Sequence, residues 1–572
     1  MSIFSKIPIK PAKHSRFNLS HDFKFSGDFG VLYPIFCEEV LPSDKFRISP
    51  TMLCKMAPML APVMHRVQAR VHFFFVPNRL LWDNWESFIT GGENGLEAPP
   101  PPMLAHPKGN GFSIGSLSDY LGFPAGDNAF ADGVAFSTLP HKAYHLIWNE
   151  YFRDQNLQQP FDFGHGDGQD IGLKSDGLTP NTWSDFDKLH HVCWRKDYFT
   201  SALPSPQRGP EVEIGLVGKA PVGGFAKFDF SDTTSTLMSI TGSSAPIVNG
   251  INADTLIRSS QSVTIGSVVF PAGSVFRTLQ TYPNSTSPDQ VIVQPVTKLN
   301  GFSPYGSDSQ GLSADLSKAS GVTIAKLRQA IKLQEYYELF ARAGGRYIES
   351  LRSFFGVRPQ DSRLQRPEFL GGGIVPIQIG EVLQNSASTS TSPQANMAGH
   401  GIAFGKAANV SKFFTEHGWV IGLLSILPDA SYQDGLPRKF SRSTRFDYFW
   451  PQFQHIGEQA ILNKELYYGN PNPDGTFGYT PRYAEYRYIP SRVAGDFRTT
   501  LNFWHLGRLF GSSYTDVESA SPALNSDFVT VQTKPLNRIF SVTGDDSNHF
   551  YVDVYFDFKA SRPLSKYGIP KL

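Results

Sequence analysis

The sequence predicts a mainly β protein, an antiparallel sandwich that carries long loop and helical insertions. Three observations lead there. Runs with period-two hydrophobicity are scattered from near the start of the chain to its C-terminus. Gly and Pro are plentiful, 51 and 42 residues, yet aperiodic, as in a folded chain with many turns. The regular strand–helix alternation of a doubly wound parallel sheet is missing.

The chain opens on an extended basic arm. Lys6, Lys10, Lys13 and Arg16 stand there without an acidic residue, and Pro8 and Pro11 discourage a helix. Strand-like runs follow: "FGVLYPIFCEEVL", a "PSD" turn and "KFRIS". In "RVQARVHFFFVP", Val67, Ala69, Val71, Phe73 and Phe75 alternate with Arg66, Gln68, Arg70 and His72, which predicts one buried and one polar face. "HKAYHLIWNEYFRDQN" instead sets Tyr144, Ile147, Trp148, Tyr151 and Phe152 at helical spacing. A second helical block runs from Thr323 to Gly356, interrupted at Gly344 and Gly345. "GWVIGLLSIL" (418–427) is apolar on both faces, as in a strand inside a core. "YVDVYFDFK" (551–559) alternates again. Residues 210–313, rich in Ser, Thr, Gly and Val, read as a small, weakly charged β excursion with strands in "SVTIGSVVFPAGSVF" and "QVIVQPV".

Composition narrows function. A net charge of +1 excludes a globally basic nucleic-acid binder and leaves room for a local patch. The three cysteines, Cys37, Cys54 and Cys193, are too scattered for a disulfide framework, and the N-terminus lacks the apolar stretch of a signal peptide. No run of about 18 apolar residues predicts a membrane span. The expectation is a chain that folds in a reducing cytosol.

Motifs with chemical promise fail on context. "GFSIG" (111–115) matches a nucleophile elbow at Ser113, but the proline-rich residues before it cannot form the required strand. His190, His191 and Cys193 lack a second ligand pair for zinc and read as packed side chains. Asp167 and Asp170 in "GHGDGQD" lack the calcium-loop pattern and read as a turn. The triple glycine of "RPQDSRLQRPEFLGGG" is followed by neither Lys nor Ser/Thr, so it is no phosphate cradle. No catalytic, metal or cofactor residue is expected. Two stretches could meet single-stranded nucleic acid: the arm, and "PRKFSRSTRFDYFWP" (437–451). The latter interleaves Arg438, Lys439, Arg442 and Arg445 with Phe440, Phe446, Tyr448, Phe449 and Trp450. The same arginines could equally form ion pairs beside packed rings.

Five blocks in order resemble the major capsid protein of microviruses, gokushovirus-like branch: "FFFVPNRLLWDNWESF", "WNEYFRDQNLQ", "RYIESLRSFFGV…DSRLQRPEFLGG", "HGWVIGL" and "HIGEQAILNKELY". The closing "RPLSKYGIP" is similar too. The resemblance implies a viral jelly roll of eight antiparallel strands in two sheets. It implies sixty copies in a T=1 icosahedral phage shell around circular single-stranded DNA, in a virion assembled in the host bacterial cytoplasm. The division it suggests is an arm (1–24), a first part of the jelly-roll core (25–209), a variable surface insertion (210–313) and a helical insertion with the remaining strands (314–572). Residues 210–313 are expected to protrude and contact a bacterial surface, a glycan fitting their weak charge. Arg358, Arg363 and Arg366 are expected on an extended connector at a subunit interface, where glycines let backbones approach. One phosphate charge per nucleotide, shared over sixty subunits, leaves on the order of tens of negative charges per copy. Four arm cations cannot balance that, so small internal or scaffolding phage proteins and counter-ions are expected partners. Read without the resemblance, the residues describe a large β-rich structural or binding protein. A glycan-active sandwich is the rival, and it would require paired carboxylates in a cleft.

Overall fold

In the computed structural model, the described residues are 13–93, 96–105, 112–126, 134–174, 176–210, 324–343, 360–383, 397–511, 517–542 and 547–567, with short pieces elsewhere. The chain divides into two compact units, residues 1–211 with 332–572, and residues 212–331.

Among the described residues, the barrel and the second core of the larger unit use twelve strands, beside a short pair at Met103–Ala105 and Ala135–Ser137: β1 Ser15–Asn18, β2 His21–Gly27, β3 Tyr33–Val40, β4 Lys45–Met56, β5 Val67–Pro77, β6 Glu368–Leu383, β7 Met397–Lys406, β8 Val410–Phe413, β9 Gly418–Pro428, β10 Glu458–Leu462, β11 Thr476–Pro481 and β12 Phe550–Arg562. All pairings are antiparallel. One face runs β2–β12–β4–β8 and the other β3–β9–β5–β6. Counting these eight strands along the chain gives first–eighth–third–sixth and second–seventh–fourth–fifth, the strand order of a jelly roll. The expected fold class holds, with one difference. The two faces are joined, because β6 pairs with β7 through Gln378–Leu383 and β7 pairs with β4, so a single sheet curls into a half-barrel.

Period two does the local work. Inward residues of β12 and β3 meet across the half-barrel, with Phe36 5.2 Å from Phe556 and 5.3 Å from Phe558, while Phe46 of the adjoining β4 packs 5.0 Å from Phe558. Burying each such ring stabilises the fold by roughly 1.5–3 kcal/mol. The "PSD" turn is held by the buried Asp44, which accepts the Leu41 N–H at 3.0 Å, while Ser43 takes φ 76°. Pro50, which has no N–H to donate, falls where the neighbour of β4 changes from β8 to β7. β5 alternates as predicted up to His72 and is then buried on both faces, as β9 is for most of its length.

Helix α1, Leu139–Ile147, continues into a π-turn at Trp148–Phe152 and packs against β9. Tyr144, Ile147 and Trp148 are buried as the spacing predicts, but so are His141, Lys142 and His145. Helix α2 covers Ile324–Ala343; Gly344–Gly345, where the sequence predicted an interruption, lie outside the described residues. The β10–β11 hairpin carries a second core with Tyr198, Phe199, Tyr432, Phe477 and Phe528. In the smaller unit, Val263–Ile265 pairs with Val268–Phe270, and Val275–Thr281 lies between Leu256–Arg258 and Val291–Pro295. The two strand-like runs read from the sequence supply Val263–Ile265, Val268–Phe270, the start of Val275–Thr281 and Val291–Pro295, whereas Leu256–Arg258 lies outside them.

Candidate assembly and nucleic-acid surfaces

Residues 437–451 fold as two short 3-10 turns, Arg438–Phe440 and Arg445–Asp447. The Asp447 carboxylate shapes the second by accepting the N–H groups of Ser443 and Thr444 at 2.9 and 2.7 Å, and these bonds hold its pKa below the usual range. Four cations separate into two pairs. Arg438 turns inward, donating to the Ala460 carbonyl at 2.7 Å and ion-pairing with Glu465 at 3.3 Å. Burial raises the Glu465 pKa, and Arg438 opposes that shift. Arg442 lies over the Tyr486 ring at 4.5 Å and reaches Glu485 at 3.5 Å. Lys439 and Arg445 remain exposed, each over the ring that follows it, Phe440 and Phe446. Five rings are bare: Phe440 at 64% exposure, and Phe446, Tyr448, Phe449 and Trp450 near one half. With two cations engaged internally, this segment is an aromatic patch more than a phosphate track. Beside Arg438, a cavity of about 350 Å³ opens between Tyr198, Tyr432 and Tyr488.

The expected connector is not a free segment. Residues 361–364 form a 3-10 turn and Glu368 begins β6, so the three glycines stand inside the sheet, opposite Phe73, His72 and Val71 of β5. Close backbone approach is what they serve, but within one chain. A Cβ on Gly373 would lie 1.5 Å from the Ala407 carbonyl oxygen, and Gly371 takes φ 143° at a bulge. Arg366 is buried: its guanidinium stacks 4.2 Å above the Tyr151 ring, donates to the Tyr151 hydroxyl at 3.1 Å and pairs with Asp361 at 3.4 Å. Arg363 is exposed. Arg358 lies outside the described residues, as do Lys6 and Lys10 of the arm. Lys13 is exposed, and Arg16 points outward from β1, paired with β12.

The other motifs do structural work. Ser113 sits in an exposed turn ahead of a five-residue helix. His190 stacks on Trp148 at 4.1 Å, and its Nε2 lies 2.8 Å from His145 Nδ1. His145 Nε2 must donate to the Phe186 carbonyl, so its Nδ1 accepts from His190. Burial drives these imidazoles toward the neutral form: His145 and His141 fall to about 3. Asp170 accepts the Gly166 and Gly172 N–H groups, and Asp167 accepts from Trp82 and Asn84. Among the described residues, no group of three or more His, Cys, Asp or Glu could hold a metal ion, and no helix is long and apolar enough to cross a membrane.

A double-sheet jelly roll with long insertions is the architecture of capsid-type structural subunits, shared with lectin domains. The chain matches the phage capsid protein (F protein) family over residues 5–572 and belongs to it. It is 39% identical to capsid protein VP1 of Chlamydia phage 1, covering 100% of this chain and 97% of that protein. It is 37% identical to capsid protein VP1 of Bdellovibrio phage phiMH2K, over 99% of this chain and 97% of the relative. Spiroplasma virus 4 has a capsid protein VP1 that is 29% identical over 98% and 95%. The resemblance read from the sequence is therefore correct, and the protein is structural, not an enzyme.

Proposed function

We propose that sixty copies of this chain assemble into a T=1 icosahedral shell enclosing circular single-stranded DNA. The supporting observation is the family match, which spans the barrel and every insertion. Long insertions give each copy several different contact surfaces, and point symmetry repeats each one around two-, three- and five-fold axes. The bare rings of 440–450 and the exposed Arg363 are candidates for those contacts. The arm, with Lys13 and Arg16, faces DNA and binds it weakly in many copies without reading sequence. Small internal or scaffolding phage proteins supply further positive charge, and assembly takes place in the bacterial cytoplasm. Residues 210–313, Ser/Thr/Gly-rich and weakly charged, meet the host surface, with a glycan as the fitting partner.

The test is the mass of the purified protein by light scattering, with electron microscopy of the same fraction. Sixty copies of 63.4 kDa give about 3.8 MDa in closed round particles. A pentamer would place a scaffold in the pathway, and a stable monomer would refute the reading. Deleting part of 231–300 should leave particles intact and abolish adsorption to host cells; unchanged adsorption would remove the attachment role.

A further inference from the structure

A cavity of about 370 Å³ opens where β5 and β9 meet the π-turn after α1 and residues 192–196. Its wall carries four cations, Arg70, Arg153, Arg195 and Lys196, against one carboxylate, Asp154. That carboxylate is already engaged: it accepts the Asn156 and Leu157 N–H groups at 2.9 and 3.1 Å and pairs with Lys196. Arg153 donates to the Gln158 carbonyl at 2.7 Å. Arg70 and Arg195 are different, since no ion pair among the described residues engages either of them. Strand register fixes Arg70 on β5, opposite Ser425 of β9 and Ile374 of β6. One of its Nη groups donates to Gln68 at 3.0 Å, but its Nε is buried without a hydrogen-bond partner.

Two further side chains of the same wall share that condition, for His72 Nδ1 and the indole nitrogen of Trp194 are also buried without partners. Trp194 is 3% exposed. Burial first, and then the Arg70 charge, lowers the His72 pKa to about 4, so the neutral ring has one N–H to place at Nδ1. Buried donors are normally met, because leaving one unmet forfeits its hydration. Water can meet an N–H group, but it cannot neutralise two guanidinium groups. Burial pushes the Arg70 pKa down and the Arg195 charge pushes it further, against a weaker pull from Asp429 outside the wall. The chemistry that answers both needs is an anion with several acceptor oxygens. Chloride has a single centre and a carboxylate a single charge. A phosphate group carries up to two charges, and its oxygens match a guanidinium in two parallel hydrogen bonds.

We propose that this cavity binds a phosphate group, free or carried on a small solute, with Arg70 and Arg195 neutralising its charge and the His72 and Trp194 N–H groups donating to its oxygens. The volume exceeds that of the bare ion and leaves room for the organic part of a small monoester against Phe152 and Leu427. A phosphate held there ties β5 of the barrel to residues 192–196, so occupancy stabilises the folded subunit by mass action.

The experiment is thermal melting of the full-length protein in rising orthophosphate, with chloride at equal ionic strength as the reference, followed by calorimetric titration with orthophosphate and with glycerol phosphate. Orthophosphate should raise Tm with saturation, and chloride should not. Tighter binding of glycerol phosphate would identify an esterified ligand, and tighter binding of orthophosphate the free ion; either supports the site. Trp194→Phe keeps the ring and removes one donor, and should weaken binding roughly tenfold, the worth of a hydrogen bond to a charged group. Arg195→Gln, at an exposed position where folding is not at stake, should weaken it by a similar factor. Arg70→Met should abolish the phosphate response and, in phosphate-free buffer, melt no lower than the wild type, because it removes a cation that has no counter-charge. Melting that follows ionic strength alone would overturn the proposal. So would a phosphate response that survives unchanged in Trp194→Phe and Arg195→Gln, or an Arg70→Met variant that melts lower without phosphate yet responds to it as the wild type does.

Discussion

Replacing Gly373 by Ala is the sharpest perturbation this fold offers. The added methyl would lie 1.5 Å from the Ala407 carbonyl oxygen, a backbone atom that cannot rotate away. Ala407 is itself buried and its N–H is bound to the Pro50 carbonyl at 3.2 Å, so retreat would disturb β4 as well. Overpacking of a well-filled site costs about 1–3 kcal/mol, occasionally more, and an obstruction by fixed backbone belongs at the top of that range. With ~2 cal/mol/K of unfolding entropy per residue over the roughly 450 residues of the larger unit, 3 kcal/mol lowers Tm by about 3 °C. Gly405→Ala is the internal control, because its Cβ would meet only the Val375 methyls at 3.5 and 3.9 Å, ordinary contact. Differential scanning calorimetry of the two variants beside the wild type should show a clear loss for Gly373→Ala and almost none for Gly405→Ala. Equal melting for both would refute the idea that the glycine run exists for backbone approach between β6 and the residue that follows β7.

Three other outcomes are expected. Arg508 is fully buried, lies 4.1 Å over the Phe528 ring and donates to Glu518 at 2.8 Å, so Glu518→Gln should cost about 3–5 kcal/mol by stranding the cation, measurable as a fall in the urea midpoint. His141, His145 and His190 are held neutral in the folded state, with pKa lowered by burial, so the unfolded chain binds more protons as pH falls below about 6.5. Stability is then full above that pH and lost on acidification toward 3, by roughly 3 kcal/mol per pH unit near pH 5 from His141 and His145, with His190 adding in the same direction, which equilibrium unfolding at several pH values would read out. Arg363→Ala should leave Tm unchanged and weaken particle formation, whereas Arg366→Lys should lower stability by about 1–2 kcal/mol through loss of the stack on Tyr151, since a lysine cannot reproduce a planar clamp.

How much of this was legible beforehand depends on the range over which residues interact. Period two located β5 and β12, and helical spacing found α1, because burial on one face is a local signal. The partners of those faces were not local. β5 loses its alternation after His72 because other parts of the chain cover its second side, and nothing in "FFFVP" distinguishes that from a strand in a larger core. Arg366 and Arg363 look alike in sequence, yet only Arg366 meets Tyr151, about two hundred residues earlier. Arg438 and Arg442 likewise find Glu465 inside the β10–β11 hairpin and Glu485 just after it, leaving Lys439 and Arg445 outward. The triple glycine suggested close backbone approach, and that much was right; which backbone approaches could not be read. The basic and aromatic outward side of the β2–β12–β4–β7 sheet was hidden most completely, since Arg16, Lys45, Lys406 and Tyr551 become neighbours only through strand register.

An electron-microscopy reconstruction of particles formed by the full-length chain tests the central claim most directly. The expected result is an icosahedral shell of sixty jelly rolls, with the outward side of β2–β12–β4–β7 turned to the lumen and the rings of 440–450 covered by a neighbouring copy. Open or non-icosahedral assemblies, or that sheet face buried between subunits, would contradict it.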